Sequence, residues 1–468
     1  MTTNHDHDIA IVGMACMFAQ APDVATYWDR ILAGAVAIGD HPDPDILRYF
    51  DPDSEAFERI YTKRGAFLGD LAKFNPLEFG VMPDSLDGVE PDHFLALKVA
   101  KAALDDAGWQ RQKNFPRERT DIIIGHGVYV NPSNVNWIQH GLVLDQTVAL
   151  LGEINPNWTA AELQDIHRKL KAQLPPLNAA IIPSMIPNII AGRIANRLDL
   201  MGANYIVDAA CASSIVAITH GVNNLLLNRC DAALVGGVQA CMLPQDLMTF
   251  CQIDALSRRN DSPRPFDADA DGTLFGEGVG MAVLKRRKDA ERDGDRIYAV
   301  IKGYGLASDG KSSGLLAPRL EGEILAIRRA YETSGIDPAT VGMLEAHATG
   351  IPLGDATEIK AYREVFGPGA KSGPRCAVGS VKSMIGHCVP AAGIGSTIKA
   401  VMALHQKIIP PTANFAKPHP TLGLADTPFY ISTETRPWIH AGRAPRRAGV
   451  SAMGFGGINS HLLLEEVA

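Results

Sequence analysis

Short β-rich runs alternate with helical stretches along the whole chain, with no linker between them. Ile9–Val12, Ile122–Gly125, Tyr205–Val207, Ala232–Gly236, Gly280–Leu284, Val300–Tyr304, Met343–Ala346, Ala377–Val381 and Leu462–Leu464 read as buried strands. Helices such as Asp92–Ala107 and Glu321–Tyr331 lie between them; in the second, Ile324, Ile327 and Tyr331 share a face. Strands separated by helices favour a mainly parallel sheet covered on both sides. The alternation runs through both parts of the 468 residues, and a 46% hydrophobic content suffices for one large core or two fused ones. The expectation is an α/β layered body of two pseudo-duplicated halves.

Several function classes drop out early. A net charge of −8 argues against nucleic-acid binding, which needs a basic face. Met1–Asp8 is polar and acidic and lacks the basic start and apolar run of a signal peptide. Ala179–Ala191 is apolar but broken by Pro183 and Pro187, and is too short to span a bilayer. The seven cysteines are scattered singly, so neither a disulfide framework nor a metal site is expected. A cytoplasmic location is expected. The stretch 131–187 stands apart as an elaboration: Thr159 and Glu162 form a capping box, Leu163, Ile166 and Leu170 share a face, and Pro175-Pro176 ends the helix.

Four constellations carry chemistry. In Val207-Asp208-Ala209-Ala210-Cys211-Ala212-Ser213-Ser214, a strand ends in small residues and a helix follows. This presents the thiol at a helix N-terminus, where the macrodipole favours the thiolate and is expected to lower its pKa below the free value of about 8.5. Taken alone, Cys211 could equally be a buried structural residue. Glu345-Ala346-His347-Ala348-Thr349-Gly350 puts a histidine at a strand end before a small-residue loop, with a new helix expected from Asp355. Val381-Lys382-Ser383-Met384-Ile385-Gly386-His387 is another strand, tight turn and histidine. Either histidine alone is more often structural. Finally, Ser451-Ala452-Met453-Gly454-Phe455-Gly456-Gly457-Ile458-Asn459-Ser460-His461 reads as a glycine-rich loop suited to an oxyanion donor or a gate over a pocket.

As a set, these four turns resemble the β-ketoacyl synthase family, particularly the ketosynthase domains of polyketide synthases. The resemblance runs from Ile9 to Glu465 and includes Ala255-Leu256-Ser257, Arg264-Pro265-Phe266-Asp267 and Gly276-Glu277-Gly278. It implies a thiolase-like fold layered αβαβα, with the halves at 1–270 and 271–468. It also implies an acyltransferase that performs decarboxylative Claisen condensation. Cys211 would carry the acyl group, and His347 and His387 would bind the malonyl thioester carbonyl. Lys382 would order the histidines through Glu358. Phe455, flanked by Gly454 and Gly456, would gate the pocket and share the oxyanion site with Cys211, with Thr349 and Asn459 in support. The resemblance implies no cofactor beyond the phosphopantetheine of an acyl carrier protein, and a homodimer. A chain ending at its last strand is expected to be a free-standing enzyme or one domain of a larger synthase.

The usual T-A-C-S-S-S becomes Ala209-Ala210-Cys211-Ala212-Ser213-Ser214, and H-G-T-G-T becomes His347-Ala348-Thr349-Gly350-Ile351. Glu90-Pro91-Asp92-His93-Phe94 replaces D-P-Q-Q-R. These variants resemble polyunsaturated fatty-acid and enediyne synthases, and Ile351 and Met384 are expected to reshape the channel. The alternatives are a non-elongating acyltransferase, which usually lacks the first histidine, and a partner subunit, which lacks the cysteine. Other signals are declined. Asp267–Gly272 imitates a calcium loop but has Gly278 where the bidentate Glu belongs. Gly276-x-Gly278-x-Gly280 lacks dinucleotide spacing, His5 and His7 read as solvated tail, and Cys388 as a packed small residue. Arg258, Arg259, Arg446 and Arg447 are candidate docking charges for an acidic carrier.

Overall fold

A computed structural model describes residues 8–467 except 84, 85, 87, 111–114, 128, 129, 180, 260, 313, 370–374 and 441–443, so His5 and His7 lie outside the described residues. The β-rich runs become one sheet of 11 strands. They are β1 (Ile9–Phe18), β2 (Thr120–Gly125), β3 (Asn204–Val207), β4 (Ala232–Gln239), β5 (Gly278–Arg286), β6 (Ala299–Ser308), β7 (Met343–Glu345), β8 (Cys376–Gly379), β9 (Phe429–Ile431), β10 (Arg447–Gly454) and β11 (Ile458–Glu465). Their order across the sheet is β9-β8-β7-β10-β11-β6-β1-β5-β4-β2-β3. Outward from β1 the pairings run antiparallel, antiparallel, parallel, parallel through β5, β4, β2 and β3. From β6 the same sequence of senses runs through β11, β10, β7 and β8, with β9 added at the edge. The duplication is thus written in the topology. Because β5 pairs on both flanks with first-half strands, the repeat changes over between Arg286 and Ala299, beyond the boundary expected at 270.

Helices cover the sheet in layers. Asp92–Asp106 and Ile189–Leu198 pack outside the first half around Leu97, Ile124 and Ile194. Leu320–Ser334 and Pro352–Phe366 do so outside the second, around Ile327, Ile359 and Leu463. Between the halves lie Ser213–Leu226 and Ala392–Gln406, which contact each other and strands of both halves. The result is the αβαβα order. Strands enclosed this way bury both faces, which is why β1 is a continuous buried run, IAIVGMACMF, without alternation. Gly13 lies at its register shift, where a Cβ would stand 2.5 Å from the Ala103 carbonyl oxygen; glycine lets the outer helix seat on the strand.

The elaboration folds as Pro132–Ile138, a π-type turn and Leu144–Ile154, followed by Ala160–Lys171 with the expected capping box on Thr159. Among the described residues, no helix is long and apolar enough to cross a membrane. The acids of the calcium-like loop cap backbone instead: Asp267 Oδ2 accepts the Ala416 and Lys417 N–H groups, and Asp271 Oδ2 those of Arg258 and Arg259.

Candidate active site

Cys211 sits in the tight turn that follows β3. Asp208 Oδ1 accepts the Ala210 N–H at 3.0 Å, and Ser213 Oγ accepts the Ala209 N–H at 2.9 Å. Ala210 takes φ +49°, a left-handed conformation that costs an L-residue about 1–2 kcal/mol and turns the chain sharply into the helix Ser213–Leu226. The thiol is buried, and burial pushes its pKa up to about 12, with the Lys382 ammonium acting in the opposite sense. This corrects the expectation of a lowered pKa: taking the thiolate out of water outweighs the Lys382 charge and the backbone hydrogen bond at Cys211.

His347 follows β7 in a loop held by the next helix. That helix starts at Pro352, ahead of the expected Asp355, because Pro suits the first helical position. Its Glu358 accepts the His347 N–H at 2.8 Å and the Ala348 N–H at 2.9 Å, and Tyr362 Oη donates to it at 2.8 Å. Asp355 accepts the Thr349 N–H at 3.0 Å, and burial pushes its pKa up to about 7. His387 follows Gly386 (φ +69°) and donates its backbone N–H to the Leu274 carbonyl at 2.8 Å. The two imidazoles meet edge to face, with centroids 5.4 Å apart. Both are held well below the usual histidine range by burial and by the Lys382 charge, so both are neutral.

Lys382 is fully buried in the short helix Lys382–Ile385. Burial lowers its pKa, opposed chiefly by Glu345 and then Glu358 and Cys211. Among the described residues no ion pair joins Lys382 to Glu358, whose oxygens are committed to the His347 loop backbone and Tyr362. Lys382 therefore reaches both histidines and the thiol through its field. Glu345 was not picked out from sequence. It accepts the Val381 N–H at 2.6 Å and pairs with the buried Lys399 at 2.6 Å, tying the two histidine-bearing turns together.

The glycine-rich segment is the tip of a β-hairpin rather than a free loop: β10 and β11 pair up to Gly454 and Ile458. Phe455 stacks on Phe250 with centroids 5.6 Å apart, and the Gly456 N–H donates to the Leu315 carbonyl at 3.0 Å. Asn459 Nδ2 donates to Asp309 Oδ1 at 2.7 Å. One cavity of about 260 Å³ brings Cys211, His347, His387 and Phe455 together. Gly454, Thr349, Glu358 and Asn459 also line it, whereas the buried Lys382 and the exposed Gly456 do not. Ile351 lines it, and Met384 is buried elsewhere, lining a separate small cavity with Ala35 and Tyr27. Among the described residues no cluster of His, Cys, Asp and Glu has the arrangement of a metal site.

Residues 6–290 match the family described as the N-terminal domain of β-ketoacyl synthases, and residues 298–416 match its C-terminal domain. The chain belongs to the β-ketoacyl synthase family. It is a ketosynthase-type condensing enzyme of the acyltransferase class, with the thiolase-like fold. A polyunsaturated fatty acid synthase polypeptide of a Thraustochytrium species is 36% identical over 98% of the chain, which spans 16% of that relative. The 6-methylsalicylic acid synthase of Aspergillus terreus is 34% identical over 100% of the chain, which spans 24% of it. Among solved structures, the ketosynthase from module 6 of the Bacillus subtilis bacillaene synthase superposes with TM-score 0.82 at 32% identity, covering 98% of this chain and 72% of that one. An oxazolomycin ketosynthase domain from Streptomyces albus gives 0.83 at 29%, covering 98% and 74%.

Proposed function

We propose that this ketosynthase joins acyl units by decarboxylative Claisen condensation, using Cys211 as the acyl-carrying nucleophile. The observation that carries the reading is the meeting of one thiol and two neutral imidazoles in a single cavity beside a buried ammonium. Cys211 attacks a carrier-borne acyl thioester, and its proton leaves with the carrier thiol. A malonyl thioester then occupies the cavity. As carbon dioxide departs, the C–C electron pair becomes an enolate whose oxygen takes N–H hydrogen bonds from His347 and His387. The Nδ1 atoms of both rings have no partner among the described residues. The tautomer with hydrogen on Nε2 leaves just lone pairs unpaired there, and supplies the two donors. The enolate carbon attacks the Cys211 thioester, the oxyanion rests on the Cys211 and Phe455 backbone N–H groups, and the C–S bond breaks to free the thiolate. Lys382 stabilises each anionic stage through space. The presence of both Cys211 and His347 in the cavity favours elongation over the acyltransferase and partner-subunit readings.

The substrates would arrive on the phosphopantetheine of an acyl carrier protein in the cytoplasm, and the enzyme would act as a homodimer. Arg258 and Arg259 are the better docking charges. They pair with Asp254 and Asp271 but stay exposed, and Asp254 lines the cavity, whereas Arg446 and Arg447 are largely buried against Glu466 and Glu465. The functional halves would divide between Arg286 and Ala299. Intact-protein mass after acyl thioester, then malonyl carrier protein, tests the reaction. An adduct on wild type that is absent from Cys211→Ala and discharged as a β-ketoacyl product is expected. An adduct never discharged, with no carbon dioxide released, would replace this reading with acyl transfer alone.

A further inference from the structure

The cavity contains a polar group that the condensation leaves idle. Glu323, in the first turn of Leu320–Ser334, lines the same cavity as Cys211 and Leu315 yet is 2% exposed. Among the described residues its Oε2 has no hydrogen-bond partner. Its neighbours are arranged otherwise. Asp309 Oδ1 is taken by Asn459, the Asp309 N–H donates to the Gly457 carbonyl at 2.8 Å, and Arg319 Nη1 donates to the Asp309 carbonyl at 2.8 Å. Burial, then the charges of Glu358 and Asp309, hold the Glu323 carboxyl well above the ordinary carboxylate range. The shift favours the carboxylic acid, which has one O–H to donate and oxygens that accept. Buried polar atoms are nearly always paired within a folded protein. One left unpaired in the wall of a cavity that Leu315, Leu316 and Leu353 also line is placed to orient a ligand.

We propose that Glu323 is a specificity-determining residue whose carboxyl hydrogen-bonds an oxygen-bearing group, a secondary amide or a hydroxyl, on the incoming thioester. This rests on the reading that the cavity takes acyl thioesters. Two parts of such a substrate carry that chemistry: the amides of a pantetheine arm and an oxygenated acyl chain.

The test compares wild type, Glu323→Gln and Glu323→Leu by kcat/KM for acylation, followed by intact mass. One substrate pair is a saturated acyl group on pantetheine against the same group on ethanethiol, which lacks the amides. The other is a 3-hydroxyacyl against a saturated pantetheine thioester of equal length. Wild type and the Gln variant should prefer the oxygen-bearing member of one pair or both. The Leu variant should lose that preference by about tenfold, which identifies the source. Because Leu removes an unpaired buried acid, it should unfold at or above the wild-type temperature. A Leu variant that keeps every preference, slows equally on all thioesters, or unfolds earlier would overturn the proposal. A wild type that takes no acyl group at all would overturn the underlying reading as well, and would show before any variant is compared.

Discussion

Cys211 is the residue whose chemistry depends most on its surroundings. With its thiol pushed up to about 12, the thiolate fraction below that value grows tenfold per pH unit. Alkylation of Cys211 by iodoacetamide, followed by mass, should therefore rise about tenfold per unit from pH 7 to 9.5 without a plateau. A plateau near pH 8 would mean that the thiolate is stabilised more than burial allows. Lys382 lowers the thiol pKa, so Lys382→Met should raise it and slow alkylation several-fold at every pH in that range. Glu358→Gln tests the loop. Its amide N–H₂ would face a backbone N–H in place of an acceptor, and stability should fall by about 1–3 kcal/mol in urea titration, with kcat reduced as His347 shifts. Cys211, His347 and His387 were legible because each sits in a turn of small residues. What the sequence did not show was burial, which reversed the expected direction for Cys211, nor the reach of Glu345 from beside His347 to the second histidine turn, nor Lys399 and Glu323, which carry no local motif.

At the scale of elements, each run expected as a strand lies in the 11-stranded sheet, and two further strands of that sheet went unread. Phe429–Ile431 is very short, and Arg447–Gly454 is built of small residues buried between β7 and β11, so neither shows alternation. Reading 451–461 as a loop followed from its glycines, but cross-strand pairing decides the hairpin and is a non-local property. The central helices meet more closely than propensity alone would suggest. A Cβ on Gly393 would stand 2.7 Å from Ile215 Cγ1 and 2.8 Å from Ser214 Oγ, whereas one on Gly192 meets nothing nearer than Asn204 Oδ1 at 3.6 Å. Helix propensity favours alanine at either site by up to about 1 kcal/mol, but overpacking costs about 1–3 kcal/mol where neighbours cannot move. Gly192→Ala should thus be neutral or stabilising and Gly393→Ala destabilising by about 1–2 kcal/mol, read from urea midpoints. Equal shifts for the two would show that the central helices separate easily.

For the whole molecule, the repeat of strand order was expected as an alternation but could not be located in sequence, because it resides in which strands pair across the chain. The halves meet directly in the sheet over a short stretch, Ile9–Ile11 against Ala299–Ile301. Most of their union is the shared layer. Ser214 Oγ accepts the Ile394 N–H at 2.9 Å, and Tyr27 Oη donates to the Gly395 carbonyl at 3.1 Å, both buried and each joining the halves. Chains of this length commonly unfold through intermediates, domain by domain. Here neither half can open its inner face without stripping the core that serves the other, so one transition is expected. Variants retaining Trp109 alone, which packs in the outer core of the first half, or Trp438 alone, which packs in the shared core beside Gly342, report on the two regions. Their urea midpoints should coincide with each other and with the loss of helical circular dichroism, and Gly393→Ala should lower all of them together. Separated midpoints, with Gly393→Ala moving just one of them, would mean that the central layer belongs energetically to one half and that the other docks on it as an independent unit.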